Sequence, residues 1–136
     1  MTNPSDSSDA DRCFVCGPHN PIGLRLRFKL DGDLCRGEFT PSAEHCGYDG
    51  ITHGGILFSV LDDVMANWLF LQGNRAYTAK CEVRFRHALP TNCRILLEAW
   101  CVKQRRQVAV MSGRAIRADT RQVVAECQAH FMIRPS

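Results

Sequence analysis

The sequence predicts an α+β domain in which a curved antiparallel sheet wraps one central helix. Three observations carry this. Only one segment, residues 56–71, has a long helical pattern. Strand-like runs flank it, two before and three or four after. The links within these runs are short and rich in turn formers, which implies antiparallel neighbours. One helix cannot cover both faces of such a sheet, but a curved sheet can wrap it.

The chain opens with MTNPSDSSDADR, which is polar throughout. We expect residues 1–12 to be a disordered tail and residues 13–136 to form one domain. The run Cys13-Phe14-Val15-Cys16-Gly17-Pro18-His19-Asn20-Pro21 is a turn-rich knot. Residues 24–30 then alternate Leu24, Leu26, Phe28 and Leu30 with Arg25, Arg27 and Lys29, the pattern of a half-buried strand. Asp31-Gly32-Asp33 makes a tight turn, and residues 34–40 return as a second strand, so the pair reads as a hairpin. Residues 41–50 form a loop.

In the helix, Ile56, Leu57, Val60, Leu61, Val64, Met65, Trp68 and Leu71 share one broad face. Phe58 and Leu69 make part of the other side apolar, so the helix should be enclosed by other structure. Gly73 is a suitable C-terminal cap. Residues 77–87, 94–103, 107–118 and 123–133 follow as strands with period-two or β-branched patterning. Pro90-Thr91-Asn92, Gln104-Arg105-Arg106 and Asp119-Thr120-Arg121 separate them.

A chain of 136 residues can bury a real core without staples. The net charge of +3 is scattered, with no basic run or interleaved aromatics, so no nucleic-acid partner is expected. The apolar stretch 56–71 contains Asp62, Asp63 and Asn67 and is too short and too charged to span a bilayer. The N-terminus lacks the basic start and apolar centre of a secretory signal, so a cytoplasmic location is expected. Among the eight cysteines, Cys35, Cys81, Cys93, Cys101 and Cys127 lie singly in strand-like runs and read as reduced, core or half-buried thiols. Cys46 stays open.

Two features at the helix suggest chemistry. His53-Gly54-Gly55 precedes it, and glycines at a helix N-terminus leave backbone N–H groups unobstructed. Such donors, backed by the helix dipole, suit a carbonyl oxygen becoming an oxyanion. The plain alternative is that two glycines permit a tight turn. Asp62 neighbours Phe58, Ala66 and Leu69 on the wheel, where partial desolvation would make it a stronger base. Asp63, near Ser59 and Asn67, better fits a carboxylate that reaches solvent or pairs with an Arg. Gly54 and Asp62 are about 12 Å apart along one helix, too far to serve the same carbonyl. Two antiparallel copies of the helix could bring one protomer's Asp62 to the other's N–H.

Motifs for a serine nucleophile elbow, HExxH zinc, a P-loop or a dinucleotide site are absent. Cys13-x-x-Cys16 has metal spacing, and His19, Cys35, His45 or Cys46 could complete a tetrahedral site. A second C-x-x-C is missing, so we expect a thiol pair packing a turn and no metal.

The run from Gly47 to Asp62, with His53-Gly54-Gly55 and an acid nine positions after the His, resembles the central motif of PaaI-like hot-dog-fold thioesterases. The opening Cys13-Phe14-Val15-Cys16-Gly17, followed by Asn20-Pro21-Ile22-Gly23-Leu24, is similar to the N-terminal signature of one branch. The resemblance implies a hot-dog fold, a homodimer or tetramer of dimers, and hydrolysis of an acyl- or aryl-acyl-CoA without metal or organic cofactor. Asp62 would be the base or nucleophile, the partner's Gly54 N–H would polarise the carbonyl, His53 would shape the loop, and Gly55 would help bind the substrate. Thr78 aligns with a hydroxyl near the nucleophile, and Arg84 or Arg86 would meet coenzyme A phosphates. The amide side chain that the family often places six residues before the His is here Gly47, with Tyr48, Asp49 or His45 as substitutes. A non-catalytic acyl-CoA-binding module on the same fold is the alternative.

Overall fold

Six strands and one long helix occupy residues 9–135, the span that the computed structural model describes. Residues 1–8 of the expected tail, and Ser136, lie outside it. Residues 9–12 form turns against the domain: Asp9 pairs with Arg75 at 2.9 Å and the Asp11 carbonyl accepts the His19 N–H at 2.9 Å.

Helix α1 runs Gly54–Phe70 and buries Leu57, Val60, Leu61, Val64, Met65 and Leu69. Its end is set by Gly73, whose φ of +91° is a left-handed conformation that costs glycine little. There the Asn74 N–H returns to the Leu69 carbonyl at 3.1 Å. Strands β1 (Lys29–Asp31), β2 (Leu34–Phe39), β3 (Ala76–Phe85), β4 (Ile95–Arg105), β5 (Val108–Arg117) and β6 (Val123–Ile133) form one antiparallel sheet in the order β1-β2-β4-β5-β6-β3. The helix touches every strand from β2 to β6, so the sheet encloses it as its apolar circumference demands. Gly113 in β5 leaves room for Met65 of the helix, since a Cβ there would lie 3.1 Å from Met65 Cγ. Cys35 and Cys127 are buried, and Cys81, Cys93 and Cys101 half-buried, as their placement in strand-like runs implies.

Two expectations are corrected. The first strand begins at Lys29, not Leu24. Arg25 is left-handed (φ 57°), and the Leu24 and Leu26 N–H groups bond the Phe14 and Val15 carbonyls of the knot. Alternation in residues 24–28 therefore reflects packing on the domain, with Phe28 laid across Gly37, and not membership of the sheet. The second concerns β3 and β4, which are not neighbours. β3 pairs with β6 at one edge, and β2 pairs with β4 in the interior. The link around Pro90 is instead held by the loop before α1, through Thr52 N–H to Leu89 O (2.8 Å) and Thr91 N–H to Gly50 O (3.0 Å).

On the face away from α1, a row of alternating charge crosses five strands. Arg36 lies opposite Glu98, Glu98 opposite Arg114, Arg114 opposite Glu126, and Glu126 opposite Arg84. Glu98 meets both Arg114 (2.8 Å) and Arg36 (3.5 Å).

Candidate active site

The start of α1 is built around His53. Its backbone is extended (φ −63°, ψ 133°), and its Nδ1 accepts the Gly55 N–H at 2.8 Å, a side-chain N-cap. The His53 carbonyl takes the N–H groups of Ile56 and Leu57, both at 3.1 Å. Gly54 N–H is thus left without a partner among the described residues, at the positive end of a 17-residue helix. A Cβ at Gly55 would press on the His53 ring at 3.0 Å, so glycine leaves this cap undisturbed. His53, Gly54 and Gly55 are all exposed, and the Phe85 ring of β3 stands over Gly54.

Two turns along, Asp62 is half-buried and accepts the Thr78 hydroxyl at 2.6 Å. Thr78 reaches it because of a β-bulge. Thr78 pairs with Phe131 and Lys80 with His130, so Ala79 is an extra residue. The bulge lets both Thr78 and Cys81, three positions apart, face α1. Burial pushes the Asp62 carboxyl above its ordinary 3.8, and the Thr78 hydrogen bond offsets part of that rise. Cys81 was not foreseen at this site. Burial raises its thiol, and the Asp62 charge adds to the rise. Cys127 behind it is pushed up to about 12, first by burial and then by Cys81 and Asp62.

The remaining candidates sit apart. Arg84 faces outward, with Glu82, Trp100 and Arg114 lining a depression of about 410 Å³. Arg86 is engaged by Glu126. Ser59 donates to the Gly55 carbonyl at 2.8 Å, an ordinary bond one helical turn back. A Cβ at Gly47 would lie 3.6 Å from His53 Cα, so this position borders the helix start. Of its possible substitutes, His45 is committed to the Ser42 N–H at 2.9 Å, while Tyr48 and Asp49 are exposed.

Asp63 corrects the sequence reading. It is half-buried and, among the described residues, pairs with no arginine. Asn67 Nδ2 donates to its Oδ2 at 3.1 Å, and the Cys13 thiol to its Oδ1 at 3.6 Å. Burial raises its carboxyl above the ordinary value, opposed by the Cys16 and Cys13 bonds. Of the residues considered as further metal ligands, none of His19, Cys35, His45 and Cys46 joins the Cys13–Cys16 pair among the described residues; Asp63 does.

Residues 49–124, more than half of the chain and including both the helix start and Asp62, match the family model of the thioesterase superfamily. Acyl-coenzyme A thioesterase THEM5 of Homo sapiens is 27% identical over 94 residues; these cover 69% of this chain but only 38% of that protein. A crystal structure of a thioesterase superfamily protein superposes with a TM-score of 0.79 at 24% identity, covering 87% of this chain and 61% of the other. The E. coli PaaI protein from the phenylacetic acid degradation operon gives 0.77 at 20% identity, covering 83% and 82%. A hypothetical thioesterase from Streptococcus pneumoniae, solved with coenzyme A, gives 0.75 at 17%, covering 82% and 87%. These superpositions establish a hot-dog fold, and the family match adds descent: the chain belongs to the thioesterase superfamily.

Proposed function

We propose that the chain hydrolyses an acyl- or aryl-acyl-CoA thioester to the free acid and CoA, at sites shared between two protomers. The observation that carries this is the division of labour along α1. A desolvated carboxylate held by Thr78 lies about 12 Å from the unpartnered Gly54 N–H. Each group lacks the other half of an acyl-transfer site, and a second, antiparallel copy of α1 supplies it. β3 suits such pairing: it is a ten-residue edge strand with Tyr77 61% and Phe85 53% exposed. We place the dimer contact there, with a pair of dimers as the larger option.

In this reading Asp62 takes a proton from water, or itself attacks the thioester carbon. The partner's Gly54 N–H stabilises the resulting oxyanion, and the CoA sulfur leaves and is protonated. Neither a metal nor an organic cofactor enters the scheme. His53 acts by fixing Gly55, which keeps the Gly54 amide aimed outward. Arg84 is open to receive a CoA phosphate, whereas Arg86 would first have to release Glu126. A cytoplasmic setting, where thiols stay reduced, belongs to the same reading. Support also comes from the Streptococcus pneumoniae protein, of which single alanine variants have been crystallised at an aspartate and at a threonine sixteen positions apart. That is the spacing of Asp62 and Thr78.

The test is thiol release, measured beside binding, across short, long and aromatic acyl-CoAs. We expect turnover of at least one class. Binding without thiol release throughout the panel would identify the chain as an acyl-CoA-binding module instead.

Thr78→Ala should lower kcat/KM roughly tenfold, since a hydrogen bond to a charged group is lost. It should also move the acid limb of the pH profile to higher pH. The hydroxyl holds the Asp62 carboxyl down, so its removal lets burial raise that group further. Thr78→Ser should restore both. An unshifted acid limb in the alanine variant would show that Thr78 does not tune Asp62.

A further inference from the structure

We propose that Cys13, Cys16 and Asp63 form a binding site for one zinc-class divalent cation, clamping the N-terminal knot to α1. This site is separate from the hydrolytic scheme and does not depend on it. The sulfur atoms of the two cysteines and a carboxylate oxygen of Asp63 all lie within 4.8 Å of one another. In a tetrahedral zinc centre, with Zn–S near 2.3 Å and Zn–O near 2.1 Å, a sulfur and an oxygen ligand stand about 3.6 Å apart. Cys13 Sγ and Asp63 Oδ1 are 3.6 Å apart. That pair thus already stands at the edge length of such a centre, although its members come from segments fifty residues apart.

The surroundings also suit a ligand set. The Cys16 N–H points at Cys13 Sγ at 3.5 Å, and the Gly17 N–H closes the turn on the Cys13 carbonyl at 2.9 Å. Only glycine fits there, since a Cβ would stand 2.3 Å from Cys13 N. Asn67, buried on the next turn of α1, donates to Asp63 Oδ2 at 3.1 Å and so orients Oδ1 toward the thiols. A hydrogen bond of this kind, behind the ligand atom, fixes a carboxylate for metal binding. The same amide lies 3.8 Å from Cys16 Sγ. Cys13, Cys16 and Asp63 line a cleft of about 220 Å³ together with Phe70, Ala76 and Tyr77, which has room for a water as fourth ligand. Two thiolates with one carboxylate select a borderline-soft ion such as zinc over magnesium or calcium. On binding, each thiol gives up its proton as its sulfur takes the cation.

The experiment uses the full chain, purified under reductant without a metal-affinity tag. Metal content is measured before and after incubation with zinc, and the cobalt(II) form is examined by absorption. We expect one zinc per protomer with a dissociation constant on the order of 1 μM or tighter. The cobalt form should show the intense near-ultraviolet band of sulfur-to-metal charge transfer. Cys13→Ser and Cys16→Ser should each diminish that band. Asp63→Asn, which preserves shape, should weaken zinc binding at least about tenfold. Cys101→Ser, in β4 and outside the cluster, should change neither. The proposal is overturned if the wild-type chain takes up no zinc, or if zinc binds equally well to the Cys13→Ser and Asp63→Asn chains. A Cys13–Cys16 disulfide persisting under reductant would overturn it as well.

Discussion

Asp62→Asn should lower kcat for thioester hydrolysis roughly 10³-fold, about 4 kcal/mol of transition-state stabilisation, while raising the melting temperature at neutral pH. The two effects share one cause. Burial holds the folded-state carboxyl above its ordinary 3.8, so the protonated form is the one the fold prefers. Its contribution to stability is present below 3.8 and is lost as pH rises through the raised folded value. Above that folded value the enzyme carries an ionised, partly desolvated carboxylate as a standing cost. The amide of the variant keeps the shape and can still accept the Thr78 hydroxyl, but it has no charge to desolvate. Thermal unfolding of both proteins at pH 7 and below pH 3.8 checks the sign, with the difference shrinking in acid. Turnover equal to wild type on every acyl-CoA that the wild type cleaves would remove Asp62 from the mechanism.

The second large effect is recovery of activity from two inactive chains. Gly54→Pro removes the amide hydrogen proposed to face the substrate. Proline is well tolerated at the first position of a helix, and His53 before it already has the extended backbone that a following proline requires. A Cβ at this position meets Phe85 only at ordinary contact, 3.7 Å from Cε1. Alone, this variant should be nearly inactive, as should Asp62→Asn. In a mixed dimer, one site combines the intact Asp62 of the first chain with the intact Gly54 of the second, and the other site lacks both. Random re-pairing makes half the dimers mixed, each with one working site of two, so about a quarter of wild-type activity should return. The readout is thiol release after co-refolding or subunit exchange, with mixed dimers counted by mass. Mixed dimers that form and stay inactive would place Asp62 and Gly54 in unrelated roles.

Much of this was legible in the chain, for identifiable reasons. The helix was readable because its apolar residues recur at helical spacing nearly all round, which also required a wrapping sheet. Asp62 was readable because its wheel neighbours are apolar. Asp63 was misread by the same method: a wheel shows which side a residue faces, not what covers that side. The cover is Cys13 and Cys16, about fifty positions away. Residues 24–28 alternate because one side packs inward, and alternation alone does not distinguish a sheet member from a chain laid across it. The edge position of β3 was hidden because sequence neighbours usually pair, and here the long link past Pro90 carries the chain to the far side instead. The bulge at Ala79, which turns Thr78 toward Asp62, leaves no mark in residue type.

The row from Arg36 to Arg84 bears on how the strands find their alignment. A slip of one residue would turn each strand inside out, and the buried face forbids it. Sliding by two keeps greasy side chains inward, so hydrophobicity alone tolerates that error. It would, however, set Glu98 against Ser112 or Ile116, and Arg114 against Val124 or Gln128, breaking several attractions at once. The polar surface thus proofreads a mistake to which the core is blind.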